Sequence, residues 1–185
     1  MDMVSILESL KEQIQYNNGC KLVIQIPKLL QSLISLVTFR LGTHLNEQTD
    51  LLRLQVRHWS KWCLWYIQGY GDEQDQSELV NVGYGRVMTL SFCTAGGVGE
   101  EKDVEIWNGL YYIYDFLRQL HEGRTWLTSF QPLPLLARVS LEQIEEEGAI
   151  EEIEAQINNN GYYENIKQYA NEAKATILNR FIHRR

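Results

Sequence analysis

The sequence predicts an all-α, single-domain bundle of about seven helices spanning residues 1–185. Three observations carry that prediction. Apolar residues recur at three-and-four spacing in successive segments, the period of one helix face. Only three prolines occur in 185 residues, and the thirteen glycines fall mostly in clusters, so long stretches run without a breaker. Apolar residues make up 44% of the chain and charged residues 22%, an ordinary globular balance at a length that buries one core.

Met3, Ile6, Leu7, Leu10 and Ile14 describe a first helix, stopped by Asn17-Asn18-Gly19. Pro27 suits the first position of a second helix, where its missing N–H is not needed. Leu29, Leu30, Leu33, Ile34, Leu36 and Val37 follow, apolar on most sides, which places this helix at the centre. After a break over Gly42 to Asn46, a longer helix runs from about Glu47 to Gln68 with Leu51, Leu52, Trp59, Trp62, Cys63 and Tyr66. Gly69-Tyr70-Gly71-Asp72 is a turn, and Ser77 offers a cap for a helix reaching to about Ala95. Gly96, Gly97 and Gly99 then break the chain. Asp103 caps the next helix, about Val104 to His121, which carries Ile106, Trp107, Leu110, Ile113, Tyr114 and Leu117. A loop with Pro132 and Pro134 leads to Ser140-Leu141-Glu142-Gln143, which has the form of a capping box and opens an acidic helix. Leu141, Ile144, Ile150, Ile153 and Ile157 form its narrow apolar stripe, and Asn158-Asn159-Asn160-Gly161 ends it. A last helix spans about Tyr162 to Ile182.

The net charge of −7 is concentrated. Residues 140–157 hold seven glutamates and no basic residue, so the rest of the chain balances to zero. A neutral body with one acidic segment is not a nucleic-acid footprint. Cys20, Cys63 and Cys93 are odd in number and lack metal-ligand or redox-motif spacing, which implies free buried thiols and a reducing, intracellular setting such as the cytoplasm. No basic-then-apolar leader opens the chain. Gln25, Pro27, Lys28 and Gln31 interrupt the most apolar stretch, Leu22 to Phe39, so no membrane span is expected.

The chemistry-bearing residues do not assemble into a catalytic pattern. The four histidines fall in four predicted elements, and Cys63 and His58, five apart, do not share a helix face. Glutamates alternating with isoleucines at helical spacing give a solvated acidic face rather than a carboxylate site. Gly83-Tyr84-Gly85 and Gly96-Gly97-Val98-Gly99 lack the Lys-Ser/Thr of a phosphate loop and are read as turns. Arg53, Arg57 and Lys61 share one helix face, expected to be solvated, with Trp59 and Trp62 turned towards the core. No enzyme, metal or cofactor is expected. A helical bundle of this kind serves as a protein-binding module, offering an apolar groove to an amphipathic partner helix. The alternative is a helical viral coat or core subunit that self-associates through tryptophans and packages nucleic acid against its basic C-terminal helix.

Two segments sharpen the first reading. Glu78-Leu79-Val80-Asn81-Val82-Gly83-Tyr84-Gly85-Arg86-Val87-Met88, with Ser91-Phe92 and Ala95-Gly96-Gly97 after it, contains an aromatic-Gly-Arg step. Asn159-Asn160-Gly161-Tyr162-Tyr163, followed by Ile166 and Tyr169, is an Asn-Gly-aromatic step opening a helix. Together they resemble the first and second homology boxes of the B-cell-lymphoma family of apoptosis regulators and its viral members, with Tyr84 in place of the usual Trp. Tyr114-Asp115-Phe116-Leu117 is similar to a stretch of the adenoviral small apoptosis suppressor, and Ile67-Gln68-Gly69-Tyr70-Gly71-Asp72-Glu73 to the short death motif. The resemblance implies an apoptosis suppressor that sequesters amphipathic pro-death helices in an apolar groove. It implies that Arg86, beside Gly85, meets the acidic residue of the incoming helix, with Tyr84 and Met88 lining the groove.

Overall fold

Ten helices make up the computed structural model, which describes residues 2–16, 20–40, 45–93, 103–158 and 164–178. They are α1 (Met3–Tyr16), α2 (Cys20–Ile24), α3 (Leu29–Val37), α4 (Glu47–Tyr70), α5 (Glu73–Asn81), α6 (Tyr84–Phe92), α7 (Asp103–Glu122), α8 (Pro134–Glu146), α9 (Ala149–Ile157) and α10 (Glu164–Leu178). No strand occurs among the described residues, and the all-helical class read from the sequence holds. The excess over seven has three local causes. A short α2 precedes Pro27. The expected helix over 77–95 is two, α5 and α6, parted at Val82–Gly83. The acidic helix is also two, parted at Gly148, whose φ of +73° no L side chain adopts cheaply. The stops at Asn17-Asn18-Gly19, Gly96 to Gly99 and Asn159 to Gly161 lie outside the described residues.

Several expected caps are displaced. Pro27 lies in a turn before α3, and Lys28, at φ +62°, stands at the N-cap. Asp72 rather than Ser77 caps α5: its Oδ1 accepts from the Gln74 and Asp75 amides, and Asp75 Oδ2 accepts from the Asp72 amide at 2.8 Å. Pro134 opens α8, and Ser140 is buried inside that helix instead of starting it. Asn46 caps α4, accepting from the Thr49 amide at 2.9 Å.

The centre belongs to α4 and α7, not to α3. Helices α1, α2, α3 and α5 pack around α4, and α6, α8 and α10 around α7. His58 faces Glu105, Trp65 stacks on Tyr112 and Gln68 bonds Gln119, so α4 and α7 run in the same direction. Their C-terminal ends therefore lie together. Leu64, Ile67, Leu79, Met88, Leu110, Ile113, Phe116 and Ile144 are among the fully enclosed side chains of a core shared by the described helices. No described helix is long and apolar enough to cross a membrane.

Candidate functional site

The aromatic-Gly-Arg step falls at the start of α6, where α6 meets α8. Gly85 packs directly on α8: a Cβ there would stand 3.1 Å from Ile144 Cγ1 and 3.4 Å from the Ser140 carbonyl oxygen. The absent side chain is what lets the two helices close. Tyr84 and Met88 are completely buried, Tyr84 meeting the Phe116 ring edge-on at 4.6 Å. Burial pushes the Tyr84 phenol well above its ordinary value. These two side chains thus back the seam from inside and present no surface in this conformation. Arg86 points outward at the same seam. Its guanidinium holds Glu146 at 2.6 Å and Glu147 at 2.8 Å, with the Arg86 side chain 47% exposed. Of the four expected site residues, only Arg86 is open to a partner, and the acidic segment's own carboxylates hold it. The Glu face is otherwise exposed at Glu142, Glu145, Glu151 and Glu154. Along the outer face of α8, Leu135 and Val139 are exposed on the helical spacing that also carries Glu142 and Glu146.

A second cluster corrects the reading of α4. Arg57 and Lys61 are 3% and 1% exposed, not solvated, because neighbouring helices, α1, α3 and α7 among those packed on α4, cover that face. Arg57 Nη1 reaches the Phe39 carbonyl. Lys61 Nζ lies 2.6 Å from Glu105 Oε2, and His58 Nδ1 lies 2.6 Å from Glu105 Oε1. Burial alone would raise the Glu105 carboxyl, but His58 and Lys61 together hold it down at about 2. The sequence held one hint of this cluster: His58 and Lys61 are three apart, one turn of a helix, and so face the same neighbour. Around them Trp59, Trp62, Trp65, Tyr66 and Tyr70 line α4, and Trp107, Tyr111 and Tyr169 join α7 to α10 through ring contacts.

The third feature is a loop that sequence reasoning missed. Arg124 pairs with Phe130 in an antiparallel bridge, N to O at 2.8 Å and 3.0 Å, and its guanidinium turns inward. It donates to the carbonyls of Gln68, Gly69, Gly71 and Thr128, to Gln119 Oε1 and to Thr128 Oγ1. Thr128 Oγ1 donates to the Tyr70 carbonyl at 2.6 Å. The cation thereby satisfies the carbonyls that end α4. At the tip, Trp126 and Leu127 are 51% and 61% exposed, with Leu127 at φ +53°.

Neither Cys63 nor Cys93 is poised for chemistry. Cys63 is buried and donates to the Leu7 carbonyl, and burial raises both Cys63 and Cys93 to about 12. Among the described residues, no group of three His, Cys, Asp or Glu side chains is placed to hold a metal ion. No family model, curated protein or solved structure matches the chain.

Proposed function

We propose that this is a non-enzymatic helical binding protein that takes an amphipathic helix of a partner protein at the α6–α8 seam. The observation that carries the reading is Arg86, a half-exposed guanidinium at the seam whose partners are Glu146, exposed at the end of α8, and Glu147 just after it. Exposed ion pairs exchange at little net cost. A carboxylate on an incoming helix can therefore take the place of Glu146, while that helix lays apolar side chains on Leu135 and Val139. The resemblance of Tyr84-Gly85-Arg86 to the first homology box supports pro-death helices as the partner class and apoptosis suppression as the outcome. Tyr84 and Met88 then act from behind, keeping α6 rigid.

Isothermal titration against amphipathic helical peptides with a single carboxylate tests this. Arg86→Ala should weaken binding at least about tenfold, the equivalent of about 1.4 kcal/mol. Lys167→Ala, exposed on α10, should leave it unchanged. Glu146→Gln combined with Glu147→Gln should strengthen binding, since it removes the competing carboxylates. If the wild-type protein binds no such peptide, or if Arg86→Ala binds as the wild type does, the reading fails.

A further inference from the structure

Helix α8 lies with one face on α5, α6 and α7. Ala137, Ser140, Leu141 and Ile144 are fully buried on that face, at the i, i+3, i+4 and i+7 positions by which an amphipathic helix fills a groove. Leu135, Arg138, Val139, Glu142 and Glu146 are exposed. Ile144 packs on Gly85, the Gln143 side-chain amide donates to the Val80 carbonyl at 3.0 Å, and Glu146 and Glu147 hold Arg86. The ligand proposed for Arg86 is an amphipathic helix with apolar anchors and a carboxylate. A helix of the chain itself already stands at Gly85-Arg86 in that form.

That spacing belongs to any helix packed on one face, but three further features set α8 apart. Its grip is small. The large apolar side chains that it encloses fully are Leu141 and Ile144, whereas α7 encloses Leu110, Tyr112, Ile113, Phe116, Leu117 and Leu120. Next, two of its side-chain oxygens, Ser140 Oγ and Gln143 Oε1, are buried with no hydrogen-bond partner among the described residues, which subtracts from what docking gains. Finally, the helix is cut off from its neighbours at both ends. Pro134 opens it without an amide to donate, and Gly148, at φ +73°, breaks the helical run before α9. A segment with few large buried side chains opens locally, below the free energy of global unfolding.

Resting on the reading of the α6–α8 seam as the partner site, we infer that α8 is a releasable internal occupant of the groove between α5, α6 and α7, and that the partner helix takes its place. Contact with Leu135, Val139 and Arg86 is then the encounter, and exchange for α8 follows. The residues that α8 inserts define the helix that replaces it. It carries a small residue, a leucine four positions on, an isoleucine three beyond that, and a carboxylate two or three further, the spacing of Ala137, Leu141, Ile144 and Glu146-Glu147. Until such a helix arrives, α8 keeps the groove closed.

The probe is a synthetic, end-capped peptide of residues 134–147, used with the purified full chain. In hydrogen exchange read by mass spectrometry, fragments from α8 should exchange through a local opening while fragments from α4 and α7 stay protected. Glu146→Gln combined with Glu147→Gln should speed the α8 exchange about threefold or more, as loss of two exposed ion pairs implies. Peptide binding is followed by fluorescence anisotropy. Leu141→Ala in the protein weakens the internal competitor, so the peptide should bind that variant at least about tenfold more tightly than the wild type. Bound peptide should also strip protection from the protein's own α8, and Leu141→Ala placed in the peptide should weaken its binding. If Leu141→Ala lowers the helicity of the protein in circular dichroism, the Glu146→Gln, Glu147→Gln variant takes its place. Protection of α8 equal to that of α7, with and without peptide, overturns the inference. Amphipathic peptides that still bind through Arg86 in that case leave the seam reading standing, with α8 in place. An α8 that opens yet admits no peptide, or a peptide that binds wild type and variant equally, overturns the inference as well.

Discussion

Glu105 is a residue whose charge is fixed by two cationic neighbours. It sits at the start of α7 against His58 and Lys61, and Lys61 has almost no contact with water. Removing one member of a buried ion pair leaves the other charge stranded, at a cost of about 3–5 kcal/mol. Glu105→Gln should therefore destabilise the fold by that amount, measured by urea denaturation. His58→Gln, at a partly exposed position that loses one charge-assisted hydrogen bond, should cost about 2 kcal/mol. The sign of the pH effect follows from the lowered carboxyl. A folded-state value of about 2, against an ordinary 4.5, means that the ionised form is favoured by folding. The contribution is complete above about pH 5 and is lost as pH falls towards about 2. The stability gap between wild type and Glu105→Gln should shrink across that interval; a constant gap would mean that Glu105 is not ionised in the folded state. Such a cluster is nearly illegible in sequence, because Glu105 lies 47 positions from His58. Arg57 and Lys61 misled for a related reason. A shared helix face says which residues neighbour one another, but not that the face is covered by another helix.

At the scale of elements, the sequence pattern locates helices better than it locates their ends. The apolar periodicity of α1, α4 and α7 places them within a few residues. The caps went astray because several candidates compete: Ser77 and Asp72 both precede a helical pattern, and the choice depends on where the backbone turns. Asp72 prevails because α4 continues to Tyr70 and the chain must restart at once. Its carboxylate, held low chiefly by the hydrogen bond from Lys21, also ties α2 to this junction at 3.0 Å. Loss of an Asp N-cap costs about 1 kcal/mol, which in a chain of this size lowers Tm by about 2–4 °C. Asp72→Ala should show that drop in a thermal melt, whereas Ser77→Ala, inside α5, should not. The α6–α8 seam gives a second check at this scale. Gly85→Ala places a methyl 3.1 Å from Ile144, so the helices must separate slightly or Ile144 must leave its rotamer. A cost of about 1–3 kcal/mol is expected for such overpacking. Gly85→Ala combined with Ile144→Val should recover part of it, since the double change removes a methyl where one was added. The two-residue step Gly85-Arg86 was legible as a special position; that its glycine serves helix contact while its arginine serves the surface needed the structure.

For the molecule as a whole, the fold class was readable because periodicity and the scarcity of breakers agree over most of the chain. The way the bundle is closed was not, since it depends on one arginine in a segment that reads as ordinary loop. Arg124 joins three things at once: the C-terminal end of α4, Gln119 near the end of α7, and the 124–130 loop that leads to α8. Gln119 in turn donates to Asp115 at 2.7 Å and accepts from Gln68 at 3.1 Å, so the brace continues along α7. Each acceptor left without a partner in a buried place costs about 1–3 kcal/mol. Arg124→Ala takes the donor from the Gly69 and Thr128 carbonyls, while Gln76 still bonds the Gln68 and Gly71 carbonyls and water entering the vacated space relieves some of the loss. We expect a loss of about 3 kcal/mol or more, read from the midpoint of urea unfolding. Arg124→Lys should recover little, because one ammonium cannot reproduce the planar fork that reaches carbonyls on both sides. The site also makes a prediction about cooperativity. With the brace intact, tryptophan fluorescence and circular dichroism should report a single transition, since the ends of α4 and α7 are held together. In Arg124→Ala the loop and the adjoining helix ends should loosen first, and the fluorescence of Trp126 should change before helicity is lost. A variant that unfolds at the wild-type midpoint with both probes coincident would show that the α4–α7 packing closes the bundle without the arginine.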